Sequence, residues 1–290
     1  NDRGLWGGLI ILGNAPASFD GDAVSAQIEG LTTETDGDKG LYGGDDAADD
    51  SGTLQYISIR HGGALIGEGN EINGLTLGAV GTGTTVDNIE VVGNVDDGVE
   101  FFGGTVNATN LFVWAQGDDG LDIDQAYSGT IDNAIVVQGE ISDHALEIDG
   151  PEGSLQGAYT LTNATLIGLS ENVENGEIAD YRSNAQGTNT NILVTGFTGK
   201  GTDLQLSDVE LDNEGVAANY TAGSLVFTNW EIVLPTGVAS SSEIFNDTTD
   251  STTFEADAVT FSSAVTEGTV GADTSAFSWT YANTKASLGF

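Results

Sequence analysis

The chain has 290 residues, with six Lys and Arg against 45 Asp and Glu, a formal charge of −39. That balance excludes nucleic acid and anionic membrane surfaces as partners. The absence of cysteine excludes disulfides and thiolate metal sites. Hydrophobic residues make up 39% and alternate regularly, so the acidity belongs to a folded surface and not to a disordered tail. With no methionine and no run of about 18 apolar residues, the chain reads as processed or a fragment. With the acidity, this points to an extracellular or outer cell-surface location.

In chain order, Leu5-Trp6-Gly7-Gly8-Leu9-Ile10-Ile11-Leu12-Gly13 reads as a buried strand entering a coil with no polar cap before it. Residues 17–52 form an acidic excursion holding Asp20-Gly21-Asp22, Asp36-Gly37-Asp38 and a run from Gly43 to Asp50. Carboxylates beside glycines suit hard cations. Regular coiling begins at Leu54–Arg60 and Gly74–Leu77. It continues less regularly through Asp203-Leu204-Gln205-Leu206 and Ser224-Leu225-Val226-Phe227. Residues 238–290 read as narrow Ser/Thr-rich terminal strands or a loose cap, with Phe277–Tyr281 near the end.

Between these lies a repeat. Asn88-Ile89-Glu90-Val91-Val92 is followed by Asp96-Asp97-Gly98-Val99-Glu100-Phe101-Phe102, and the same phrase recurs from Asn110 and from Asn133. The asparagine returns at Asn163 and Asn191, in steps of 22, 23, 30 and 28 residues. Such a period, filled with short strands and glycine turns, predicts a solenoid: an all-β, right-handed parallel β-helix in one domain over residues 1–290.

Side chains alternate across a strand, so Ile89, Leu111, Ala134, Ala164 and Ile192 form one inward column. Val91, Val113, Val136, Leu166 and Val194 form another. The asparagines stack as an internal ladder at a bend. Outward, Phe112, Trp114, Ile135, Val137, Ile167 and Leu193 form an apolar stripe. It is expected either to serve as an interaction surface or to lie beneath a loop or the C-terminal segment.

The second strand of each repeat turns Glu100, Asp122 and Glu147 outward in one column and Asp124 and Asp149 in the next, with Asp96, Asp97, Asp118, Asp119 and Asp143 at the turn. Carboxylates about 4.8 Å apart, the spacing of stacked strands, repel by roughly 3.5 kcal/mol at an effective dielectric of 20. A Ca²⁺ site formed by Asp96, Glu100, Asp122, Asp124, Glu147 and Asp149, an acid/base pair, or a hydrated face would each answer that repulsion. His144 stands inside the cluster as a hydrogen-bond partner, and His61 lacks comparable surroundings.

Two resemblances rest on these motifs. Arg3–Gly13, Tyr42-Gly43-Gly44, Ser51–Leu54 and Asp96-Asp97-Gly98-Val99-Glu100-Phe101-Phe102-Gly103-Gly104-Thr105-Val106-Asn107 resemble exported bacterial β-helix proteins of Bacteroidota and marine proteobacteria. More weakly, Asp97-Gly98, Gly117-Asp118-Asp119 and His144, at rung spacing, resemble polygalacturonase-type glycosidases. That second resemblance implies catalytic roles for Asp97, Asp118, Asp119 and His144, although no Arg-Ile-Lys is present and Arg182 is the nearest candidate. The leading expectation is a non-enzymatic, calcium-binding surface or adhesion solenoid, associating with itself, another surface protein or a glycan. The alternative is a polysaccharide-degrading glycoside hydrolase.

Overall fold

A computed structural model of the chain describes residues 2–31, 37–65, 72–169, 176–201 and 206–286. Asp36 of the acidic excursion and most of the strand expected at Asp203–Leu206 lie outside them. Two parallel sheets of eight strands each build a β-helix. The first sheet stacks Leu9–Leu12, Leu75–Gly78, Val99–Phe102, Leu121–Asp124, His144–Ile148, Glu177–Tyr181, Val209–Leu211 and Phe245–Asp247. The second stacks Thr53–Arg60, Thr85–Val92, Ala108–Trp114, Thr130–Val137, Tyr159–Ile167, Gly187–Thr195, Leu225–Val233 and Ser262–Val265. From Thr53 onward the chain alternates between the two sheets, one strand in each per turn.

The registers are those the alternation demands. Ile57, Ile89, Leu111, Ala134, Ala164, Ile192 and Trp230 align in the second sheet, and all but half-buried Ile57 are fully buried. They face Leu75, Val99, Leu121, Leu146, Ala179 and Val209 from the first sheet across one continuous core. Each strand of the second sheet that carries a ladder asparagine bends there: Asn88, Asn110, Asn133, Asn163, Asn191 and Asn229 all have φ between 55° and 63°. Asparagine tolerates this left-handed conformation better than other side chains. Nδ2 of Asn133, Asn191 and Asn229 donates to Oδ1 of Asn110, Asn163 and Asn191 at 2.6, 3.0 and 2.7 Å. The ladder is broken into segments, because Asn110 and Asn163 donate instead to Asp87 and Asp132. Of the five asparagines expected inside, only Asn88 is buried; the others are half-buried.

The glycines of Asn73-Gly74, Asp97-Gly98 and Asp119-Gly120 have a packing reason. A Cβ at Gly74, Gly98 or Gly120 would lie 2.3–2.5 Å from Cγ1 of Val91, Val113 or Val136. The two sheets meet too closely there for a side chain. At the far end, the core is closed by Phe227, Phe245, Phe254 and Phe261, with ring centroids 5.0–5.9 Å apart. Phe254 and Phe261 belong to a helix, Phe254–Phe261. Of the terminal strands or loose cap expected here, one short strand in each sheet forms, together with this helix and a returning strap.

That strap also corrects the expected interaction surface. Phe112, Trp114, Ile135, Val137, Ile167 and Leu193 do point out of the coil, but residues 269–286 fold over them. Phe112, Ile135 and Val137 are buried together with Phe277 and Ala282, and Trp114 and Ile167 pack against that cluster. Gly271 lies against Leu193. The strap runs back along the second sheet and is held at successive strands. Glu231 accepts from the amides of Thr269 and Val270, and Thr165 Oγ1 from Ala272 N at 2.9 Å. Asn133 Oδ1 accepts from Asp273 N at 2.6 Å. Phe277 meets Phe112 with ring centroids 5.7 Å apart, and Trp279 meets Tyr56 at 5.5 Å.

The excursion is likewise built down onto the coil. Phe19, Ile28 and Tyr42 form a small core with Ala79 and Phe102. Gly104 N donates to Pro16 O at 2.8 Å, and a Cβ at Gly103 would meet Ala17. The Phe-Phe-Gly-Gly motif is thus the seat of this excursion.

Candidate functional site

The outer face of the first sheet carries three parallel columns of polar side chains. Flat strands one rung apart place like positions over one another. The central column is Thr76, Glu100, Asp122, Glu147, Asp180, Glu210 and Asn246. Asp124 and Asp149 flank it on one side; on the other, Asp97, Asp119 and His144 form a staircase. Asp97 Oδ1 accepts from Asp119 N at 3.0 Å, and Asp119 Oδ1 accepts from His144 N at 2.7 Å and contacts His144 Nδ1 at 2.8 Å. Asp97 and Asp119 are therefore anchored by turn amides of the following rung and are buried. Asp118 is exposed beside a cleft that also exposes Gly117, Ile141 and Asp143.

Ligand-type oxygens converge in several groups, among them Asp97 with Glu100 and Asp122, Asp96 with Asp97 and Asp118, Asp122 with Glu147 and Asp149, and Asp119 with Glu147 and the His144 ring. Within each, one donor atom per residue lies within 4.8 Å of the others. Arg182 serves one end of the face: it pairs with Glu147, donates to Asp149 Oδ2 at 2.7 Å, and lies 3.9 Å from Asp180. At the other end Asn73 Nδ2 bonds Glu100, while Asp122 Oδ1 and Asp180 Oδ1 are shielded from water without a hydrogen-bond partner.

This crowding moves the proton equilibria. Burial, then the charges of neighbouring carboxylates, raises Asp97, Glu100 and Asp122 well above the usual range. The same causes lift Asp124 and Asp180 to about 7 and Asp118 to about 6. For His144, burial opposes the charge, but the hydrogen bond and charge of Asp119, with Asp143 and Asp180, outweigh it and raise the imidazole to about 9.

The structure brings Asp97, Asp118, Asp119 and His144 together, and sets Asp96, Glu100, Asp122, Asp124, Glu147 and Asp149 along the same face. The sequence reading missed Asp180 and Glu210, which continue the central column, and Glu177 and Asp208. Burial, then the charge of Asp208, raises Glu177 to about 8, and burial, then the charge of Glu210, raises Asp208 to about 6. The alternations Glu177-Ile178-Ala179-Asp180-Tyr181 and Asp208-Val209-Glu210-Leu211 carry the signal, but longer connections before each had broken the spacing. Three acids of the excursion cap backbone amides. Asp46 accepts from Ala48 N and Asp50 from Gly52 N within local turns, while Asp22 accepts from Ser154 N and ties the excursion to the coil.

No helix among the described residues is long and apolar enough to cross a membrane. Comparison with curated proteins and with solved structures gives no match. A family model described as a pectate-lyase like beta helix domain matches residues 1–284. Parallel strands in stacked coils, one broad outer face rich in carboxylates and a match over nearly the whole length agree, and the chain belongs to the pectate-lyase-like β-helix family.

Proposed function

We propose that the protein is a structural or adhesion solenoid of the outer cell surface, whose acidic face is loaded with Ca²⁺. The observation that carries this reading is the group Asp97, Glu100 and Asp122. Its oxygens lie within 4.8 Å of one another, Asp122 Oδ1 has no hydrogen bond, and the ion pairs of Arg182 stop at Glu147, Asp149 and Asp180. Carboxylates so placed must share protons or a cation. Two oxygens on strands about 4.8 Å apart can straddle an ion at about 2.4 Å from each, a Ca²⁺ distance and too long for Mg²⁺.

Asp96, Asp124, Glu147 and Asp149 extend the same face. A second copy, another surface protein or a glycan is the expected partner. Because the strap covers the apolar stripe, self-association has to use other surface, such as the pole where Leu5 and Trp6 are 68% and 45% exposed. Titration of chelator-stripped protein with CaCl₂ in a calorimeter should show saturable binding that is lost in Asp122→Asn. No heat, with a melting temperature indifferent to chelator, would overturn the reading.

A second reading, polysaccharide cleavage, is favoured by Asp118, an exposed carboxyl held at about 6 above a cleft. That value suits a general acid. Against an inverting pair stands the spacing: Asp96, Asp97 and Asp118 offer oxygens within 4.8 Å, closer than the about 6.5–9.5 Å such a pair uses. Under this reading, Asp118→Asn and Asp119→Asn each abolish cleavage of a glycan found by panel screening.

A further inference from the structure

A second concavity, of about 360 Å³, lies between the excursion and the first sheet. Phe19, Tyr42 and Phe102 supply its apolar wall, packed edge to face with ring centroids 5.2 and 6.0 Å apart. Asp20, Glu29, Asp124 and Glu152 line it as well, with no lysine or arginine among the lining residues. Gln27 borders the cleft too, with its side-chain amide packed against Gly40. Gln125 is locked in place: its Oε1 accepts from Tyr42 Oη at 2.8 Å and its Nε2 donates to Glu152 Oε1 at 3.1 Å.

We propose that this cleft binds an aliphatic primary ammonium group, carried on a free amine or on a lysine side chain. Four carboxylates exclude an anion and leave a neutral ligand without a matching charge. A bare inorganic ion has no apolar part to pack on a wall of three aromatic rings. An ammonium on a short apolar stem uses both halves: the stem packs on Phe19 and Phe102, and the charge meets the carboxylates and the ring faces. The volume is at the small end of ligand pockets, about 300–1,000 Å³, which suits a stem of a few carbons and not a polymer. The excursion thus supplies a recognition wall, and the proposal does not depend on the calcium reading.

The test is calorimetric titration of the full chain with n-hexylammonium chloride and with N-acetyl-lysine methylamide, using hexanoate and hexanol as controls. One ammonium site is expected, weakened roughly tenfold by Glu29→Gln, whose side chain is exposed, and blocked by Ala23→Trp, which fills the cleft from its exposed rim. Unchanged melting temperatures check that both variants fold. Binding of both probes identifies a lysine-reading site, and binding of hexylammonium alone a small-amine site. Equal binding of hexanol or hexanoate, indifference to both substitutions, or no binding of either ammonium overturns the proposal. Displacement of the amine by CaCl₂ in proportion to site occupancy also overturns it, by assigning the cleft to a metal ion.

Discussion

Glu90 accepts a hydrogen bond at 2.8 Å from the backbone amide of Ala282, 192 positions away, and a second at 3.1 Å from Tyr281. The carboxylate is wholly buried and sits at the start of the helix Tyr281–Ala286, where free amides favour an anion. Its counterpart in the same outward column is Glu231, which holds Thr269 and Val270. The strap is therefore clasped at both ends by acids that a composition count would assign to the solvated surface.

Glu90→Ala should cost about 1–3 kcal/mol, because two buried amides lose their acceptor. It should also raise binding of an apolar dye as Phe112 and Ile135 become reachable. Denaturant unfolding and dye fluorescence check both. A stable variant that binds no dye would mean that the strap holds without its clasp.

The acidic face should make the metal-free protein less stable as pH rises. Asp118, Asp124, Asp180, Asp208 and Glu177 have folded values of about 6 to about 8, against roughly 4 when unfolded. Each raised group contributes stability that is complete below the unfolded value and lost as pH passes the folded one. His144, at about 9, acts in the same sense at higher pH. The melting temperature in chelator should fall between about pH 5 and 8, and excess CaCl₂ should flatten the fall by replacing protons with cations. A melting temperature that climbs over this window in chelator would contradict the proton-sharing picture.

Arg182 is the resident counter-charge for Glu147, Asp149 and Asp180. Since its side chain is 37% exposed, Arg182→Ala should cost only about 1–2 kcal/mol once solvent screening is allowed for. Calcium should then stabilise the variant more than the parent. Thermal unfolding with and without CaCl₂ checks the difference, and an identical calcium increment would place the ion elsewhere.

At Asn133 two effects can be separated. Asn133→Ala keeps φ near 63° at a cost of about 1–2 kcal/mol for the left-handed backbone, and it also loses the bonds to Asn110 and Asp273. Asn133→Gly removes the backbone strain and loses only the bonds, each worth about 0.5–1.5 kcal/mol. Chemical denaturation should rank the glycine variant between alanine and the parent.

The columns were legible because a period of two inside a period near 22 leaves little freedom: once Ile89 and Leu111 share a register, Glu100 and Asp122 must as well. Two kinds of information were not. Gly74, Gly98 and Gly120 could be read as turns, but their packing against Val91, Val113 and Val136 depends on how closely two sheets approach. The strap was unreadable in detail because Thr269, Ala272 and Asp273 are held by backbone amides, which carry no residue signature. An outward apolar stripe gives the same pattern whether water, a partner or the chain itself covers it. Only part of the site was visible for a related reason: Asp180 and Glu210 follow connections longer than the repeat.

The returning strap brings Tyr281 beside Asp2 and Arg3, where the three border one cavity of about 320 Å³. Arg3 and Tyr281 therefore lie against the same flank of the coils, near Val92 and Trp114. Traction applied between Arg3 and Tyr281 would peel the strap before it loaded the stacked coils and their acidic face.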